Sequence, residues 1–386
     1  MSTKSRASTG RFRKGTKLDS ANSGRYHIQH RITEATKPGS KIEYYRATRQ
    51  GSPQKFTTIV VFPDKKQFDR QISLEEPLPR FANVTAILDT VPEHNAVVYP
   101  TCSGNLWQLI EAQDMIDPSQ NPTRRSRQDI LRCALHGLVQ LHDRLKPNNV
   151  TYRMRIGRMT PTVLRREGVS VDATQIGSVR LQEALDAVVV PPGGWHTPTR
   201  AISRGIWQSP EVWCGARYNQ SSDIFSFGTV LIYAMTNKPM IWSWPPERDP
   251  PSGADRWYYT LRQHIGLFGN PESLQGLLAH IGEDNIWHRR LTELIDQEKS
   301  APLTMRRPLS VWGNNTLQLD LLDLAMKMTD LDPTKRITAR EALAHPWFGS
   351  IESDEPPAVS RWLANERESQ LKAKKIPAFR MPESPV

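Results

Sequence analysis

In the stretch His142-Asp143-Arg144-Leu145-Lys146-Pro147, an imidazole, a carboxylate and two cations stand side by side. A carboxylate can take a proton from an attacking hydroxyl, and cations can steady a phosphoryl group. The residues that follow reverse this composition. TYRMRIGRMTPTVLRR, 151–166, holds Arg153, Arg155, Arg158, Arg165 and Arg166 without one Asp, Glu or Asn. Such a window can hold an anion, a phosphorylated peptide or an acidic partner segment, and the plain alternative is a solvated basic loop. It can supply neither a general base nor a carboxylate for a metal. Beyond it come Asp172 and the triplet Gln175-Ile176-Gly177. A neutral amide is a poor ligand for Mg²⁺, which selects charged oxygens.

The elements that must position these residues fall into two patterns. From about 26 to 101, YHIQHRI, IEYYRA, FTTIVVF, NVTAILDT and NAVVYP are short branched or aromatic runs between polar and Gly/Pro punctuation, as in strands. One helical stretch, FDRQISLEE at 68–76, interrupts them. After about 105 the apolar residues recur at three and four, with Ile130, Leu131, Ala134, Leu135, Leu138 and Leu141 forming one buried face. A small sheet with one helix, followed by a larger helical body, is the expected organisation within 386 residues.

The formal charge of +11 is uneven, since residues 1–26 carry seven Lys or Arg against Asp19 alone. A disordered basic tail is expected over 1–25, with import, presequence and acidic-partner roles as alternatives. A charged tail is expected over 349–386. No apolar run approaches the roughly 18–20 residues that span a bilayer, and Cys102, Cys133 and Cys214 fit neither a disulfide framework nor a zinc site. An intracellular protein, cytoplasmic or nuclear, is the expectation.

SPEVWCGARYNQSSDIFSFGTVLIYAMTNKPM, 209–240, resembles the end of the activation segment and the central helix of a protein kinase. LDPTKRITAREALAHPWF, 331–348, resembles the last helical subdomain of the same fold, and IGLFGNPESLQGLLAHIG, 265–282, is similar to the insert of the cyclin-dependent and mitogen-activated branch. The resemblance implies an α+β, bilobal fold: a β-rich N-lobe over 26–101 and a helical C-lobe over 102–348. It implies that Glu211 pairs with Arg336, that Asp223 holds the catalytic-loop backbone from below, and that Gly228 marks the central helix.

It also says where the chemistry should be, and there the residues depart from it. Phosphoryl transfer in this family uses a Gly-rich loop, a third-strand Lys paired to a helix Glu, a catalytic Asp and Asn, and an Asp before Phe-Gly. TEATKPGSKIEYY, 33–45, has one glycine where the family has three. FTTIVVF, 56–62, has no lysine, leaving Lys55, Lys65 and Lys66 as flanking substitutes or plain surface cations. Gln71 falls where the partner Glu would stand. Leu141-His142 matches the end of the helix before the catalytic loop, so HDRLKPNN is a decoy, and Tyr152-Arg153-Met154 matches the catalytic triplet itself. Gln175-Ile176-Gly177 takes the place of the metal triplet.

A pseudokinase acting as a scaffold or allosteric partner is therefore the expected function. Its binding partners would be proteins, with phosphorylated or acidic segments among the candidates, and the Trp, Tyr and Pro residues of 242–259 suit such contacts. The enzymatic alternative is a weak or atypical ATP-dependent serine/threonine kinase using Asp143, Asp172 and a displaced lysine. Nucleic-acid association through the basic tail is a third, without a readout motif. No catalytic residue and no Mg²⁺ site are expected, and ATP binding stays open.

Overall fold

The computed structural model describes residues 10–32, 41–75, 83–101, 106, 124–144, 150–151, 162–163, 179–181, 188–190, 193–198, 207–237, 241, 253–300, 308–311 and 317–349. Six strands form one antiparallel sheet: β1 (Lys17–Asp19), β2 (Arg25–Arg31), β3 (Glu43–Arg49), β4 (Ser52–Val61), β5 (Asp89–Val91) and β6 (Ala96–Pro100), in the order β1-β2-β3-β4-β6-β5. Helix α1 (Lys65–Glu75) lies between β4 and β5 in the chain. The run 83–90 is strand only at its end, and β4 starts earlier than expected, so Lys55 lies inside it.

Strand β1 was not foreseen, because residues 10–24 read as part of a basic tail. Sparse but well-placed apolar residues overturn that expectation. Leu18 is fully buried, Lys17 to Asp19 pair with His27 to Arg25, and Phe12 packs against Tyr45 and His94. Immediately after β1 the Ala21 N–H donates to the Thr90 carbonyl (2.9 Å), and the Ser20 hydroxyl donates to Asp89 Oδ2 (2.6 Å). Residues 17–21 thus join the two edges of the sheet, β1 beside β2 and β5 on the far side. The seam closes it toward a small barrel whose interior is Leu18, Tyr26, Ile28, Tyr45, Ile59 and Val98. Closure leaves little unpaired edge for another chain to extend.

The opposite face of β3, β4 and β6 packs under α1. Tyr44, Val60, Phe62, Phe68, Val97 and Tyr99 form that second apolar layer. The helical body contains α2 (Arg124–Arg144), α3 (Pro210–Trp213), α4 (Gln220–Thr236), α5 (Gly253–Phe268), α6 (Pro271–Ile281), α7 (Ile286–Ser300), α8 (Leu319–Met328), α9 (Ala339–Leu343) and α10 (Pro346–Gly349). Helix α4 is buried all round from Ser222 to Ala234, which suits its apolar circumference. A Cβ added at Gly228 would stand 2.7 Å from Thr329 Cγ2 and 2.8 Å from Met328 Cβ, so only a glycine lets α4 and α8 approach this closely.

Two short strand pairs connect sheet and helices. Val150–Thr151 (β7) pairs with Val188–Val189 (β10), and Thr162–Val163 (β8) with Val179–Arg180 (β9). Leu181 then bridges to Val84, with the Leu181 N–H donating to the Asn83 carbonyl and the Thr85 N–H to that of Leu181 (2.8 Å each). Asn83 also donates its side-chain amide to the Val179 carbonyl (2.9 Å), so the sheet's lead-in is tied to β9.

Candidate functional site

Three places among the described residues bear on the chemistry: the β4–α1 face, the end of α2, and the buried pair beneath the helical body. At the first, Val60 on β4 is wholly buried between Tyr44 and Val97, with which it pairs across the sheet. Gln71 on α1 faces inward. Its amide donates to Glu75 Oε1 (2.6 Å) and to the Tyr99 hydroxyl (3.3 Å), and that hydroxyl donates to the same Glu75 oxygen (2.6 Å). The helix is held to β6 by neutral donors on a carboxylate one turn further along. Glu75 and Tyr99 carry no sequence signature of this role, because only the i,i+4 spacing of Gln71 and Glu75 hints that they share a face.

Two of the three flanking cations are exposed. Lys65 is exposed in the first turn of α1 and bonds Asp69 (3.0 Å), an exposed i,i+4 pair contributing a few tenths of a kcal/mol. Lys66 is exposed as well. The side chain of Lys55 lies outside the described residues.

At the second place, His142, Asp143 and Arg144 all belong to α2, which runs to Arg144. The apparent catalytic motif therefore begins in a helix. His142 Nε2 lies 3.1 Å from Asp223 Oδ2, both side chains almost fully buried. Asp223, near the start of α4, thus holds the end of α2. The Leu141-His142 dipeptide was the signal, since His at the end of an apolar face turns toward the neighbouring helix.

Tyr152, Arg153 and Met154 directly follow β7 and lie outside the described residues, as do Arg155, Arg158, Arg165, Arg166, Asp172, Gln175, Ile176 and Gly177. The strand paired with Thr162–Val163 is Val179–Arg180, so the 175–177 triplet precedes this strand in the chain. The first acidic residues after β9 are Glu183 and Asp186.

At the third place, Arg336 Nη1 and Nη2 donate to Glu211 Oε1 (2.7 Å) and Oε2 (2.8 Å), with both side chains fully buried. Burial would raise the Glu211 carboxyl, but Arg336, helped by the Ser222 hydroxyl, holds it down to about 2. Phe225 lies between this pair and His264, with the Arg336 guanidinium 4.9 Å and the His264 ring 5.5 Å from its centroid. Burial first, against the Thr260 and Gln208 carbonyls, lowers the His264 imidazole to about 4, so it is neutral at physiological pH. Since Glu211 and Arg336 are spent on each other, their arrangement is architectural.

Elsewhere, the Trp195 ring packs tilted against His280 (centroids 4.4 Å apart), and His196 pairs with Tyr218 through two backbone hydrogen bonds, pinning 193–198 to the helical body. Of the aromatics expected to meet partners, 242–252 lie outside the described residues, while Tyr258 bonds Gln297 within the helical body. Cys133 and Cys214 are buried thiols, and burial pushes Cys133 up to about 12. No helix among the described residues is long and apolar enough to cross a membrane.

Comparison with known proteins agrees with this architecture. Residues 193–348 match the family model described as the protein kinase domain. The chain is similar to mitogen-activated protein kinase 4a of Physcomitrium patens, 26% identical over 310 residues that cover 77% of this chain and 70% of the relative. It is also similar to probable cyclin-dependent kinase 8 of Dictyostelium discoideum, 22% identical over 354 residues, covering 88% and 82%. Among solved structures, one crystal structure of the yeast RNA Pol II CTD kinase CTDK-1 complex superimposes with a TM-score of 0.59 at 16% identity, over 92% of this chain and 99% of that one.

Proposed function

Since this chain has the bilobal protein kinase fold and its relatives are mitogen-activated and cyclin-dependent kinases, we propose that it is a pseudokinase, a kinase-shaped binding platform for other proteins. The observation that carries this reading is the β4–α1 face. A phosphate-pairing lysine needs an unbranched cationic side chain on that strand and a carboxylate opposite, and here Val60 is packed dry while Gln71 is committed to Glu75 and Tyr99. Placing a cation there without rearranging the face would bury a charge, at a cost of several kcal/mol. The donor set of this face does not fit the triphosphate of ATP.

The sequence of the catalytic-loop window supports the same reading. It offers five arginines and no acid, a composition suited to acidic or phosphorylated segments of a partner. Loss of a general base alone costs roughly 10²–10⁴ in rate. Loss of the lysine and its Glu as well removes much of the electrostatics on which phosphoryl transfer depends.

A second reading, a weak or atypical serine/threonine kinase, is favoured by one observation: Glu183 follows β9, where a metal-binding carboxylate belongs. Asp143 does not serve that reading, since it is part of α2. A thermal-shift titration with ATP, with and without Mg²⁺, separates the two. The platform reading expects no metal-dependent rise in Tm. A Mg²⁺-dependent rise that vanishes in Glu183→Gln would overturn it.

A further inference from the structure

We propose that the open end of the small barrel, between the turns at 20–24 and 49–52, is a docking site for a phosphorylated side chain on a partner protein. A cleft of about 480 Å³ opens there, and Arg25, Arg49, Asp19, Ser23 and Ser52 line it. The Arg49 guanidinium makes no hydrogen bond or ion pair among the described residues. Arg25 bonds Asp19 through Nε (2.6 Å), and its terminal nitrogens have no partner among the described residues. The unpaired Arg49 guanidinium, the terminal nitrogens of Arg25 and two hydroxyls without side-chain partners are donors suited to a phosphoryl group.

The site is held in shape by the seam. The Ser20 N–H donates to the Gly24 carbonyl (2.8 Å), the Gly24 N–H to Ser20 Oγ (2.9 Å), and the Gln50 N–H to the Arg25 carbonyl (2.8 Å). Gly51, at φ +81°, takes the left-handed position of its turn and leaves open space where a Cβ would be. A preformed cleft spares a ligand the cost of ordering it.

The surroundings decide what carries the phosphate. Lys17 lies two residues from Asp19 on the same outward face of β1, and Arg13 and Lys14 stand exposed on the preceding turn. None of these three cations has an acidic partner among the described residues. They suit acidic residues flanking a phosphorylated serine or threonine. The exposed large apolar residues, Leu88, Ile286, Leu319 and Met326, are not among the lining residues, so nothing in the cleft wall would enter a lipid surface.

The test uses the full chain and a short labelled phosphoserine peptide with acidic flanks, read by fluorescence anisotropy, with inorganic phosphate as competitor. Saturable binding is expected that needs the phosphoryl group and weakens at least about tenfold in Arg49→Ala, the loss of one charge-assisted contact. Arg49→Lys should fall in between, because a point charge keeps attraction and loses the fork. Arg49 is exposed, and unchanged Tm values will show that both variants fold. Equal binding of the unphosphorylated peptide, or equal affinity of wild type and Arg49→Ala, would overturn the proposal. So would Arg49-dependent binding of a DNA duplex or of phosphatidylserine vesicles that outcompetes the peptide. None of these outcomes depends on whether the chain transfers phosphate.

Discussion

Replacing Glu211 by Gln keeps the volume of the side chain and removes its charge from a site with no solvent. Arg336 would still donate to the carbonyls of Asp330, Ser221 and Leu331, but its carboxylate partner would be gone. Stranding one member of a buried pair costs roughly 3–5 kcal/mol. At roughly 2–4 °C per kcal/mol for domains of about 200 residues, Tm should fall by about 6–20 °C. The loss has a pH signature. The folded Glu211 carboxyl, at about 2, lies below its ordinary value of 4.5, so its contribution is complete above about pH 4.5 and disappears as pH falls toward 2. By linkage that contribution is roughly 3 kcal/mol. Scanning calorimetry of wild type and Glu211→Gln across this range should show the two profiles converging in acid. A double variant, Glu211→Gln with Arg336→Met, should recover stability by taking away the stranded cation. A Glu211→Gln protein melting within about 2 °C of wild type, or a double variant weaker than the single, would refute the clamp.

Other perturbations read other parts of the molecule. Val60→Lys should cost several kcal/mol by urea denaturation because the site is dry, and Gln71→Glu should also destabilise, because it replaces the amide that donates to Glu75 Oε1 (2.6 Å) by a second buried carboxylate; a Gln71→Glu protein as stable as wild type would contradict the assigned contacts. Gly228→Ala drives a methyl into Thr329 and Met328 and should cost about 1–3 kcal/mol, checked by the urea midpoint. Deleting residues 1–24 removes Leu18 and the Ser20–Asp89 bond and should lower stability by at least about 3 kcal/mol; an unchanged melt would show that the seam is dispensable. His264, lowered to about 4 from 6.5 mainly by burial, favours the neutral form in the fold. Stability should therefore be lost as pH falls from about 6.5 to 4, and His264→Gln should flatten that window in pH-dependent denaturation.

The helical half was legible because its signals are local and redundant. The all-apolar circumference of α4, the Ser-Pro-Glu motif and the distant Arg336 each imply the others, and Glu211 and Arg336 lie 2.7 Å apart. In the sheet half, edge strands lack such redundancy. Leu18 is a single apolar residue in a basic run, and only the pairing of β1 with β2 and the contact of Ser20 with Asp89 show that it closes a sheet. The Gln71–Glu75–Tyr99 network was half legible, since the missing Glu at 71 was evident while the tyrosine that answers Glu75 comes from a strand 24 residues away. Strand β9 was not legible for a similar reason: its two residues are specified by pairing with Thr162–Val163, a long-range contact, and the intervening composition carries no period.

Transfer of labelled γ-phosphate from ATP, with Mg²⁺ present, to the chain itself and to a generic acceptor protein tests the platform account most directly. The account predicts incorporation no greater than that of the heat-denatured chain. Magnesium-dependent incorporation that the native chain supports and Glu183→Gln abolishes would contradict it.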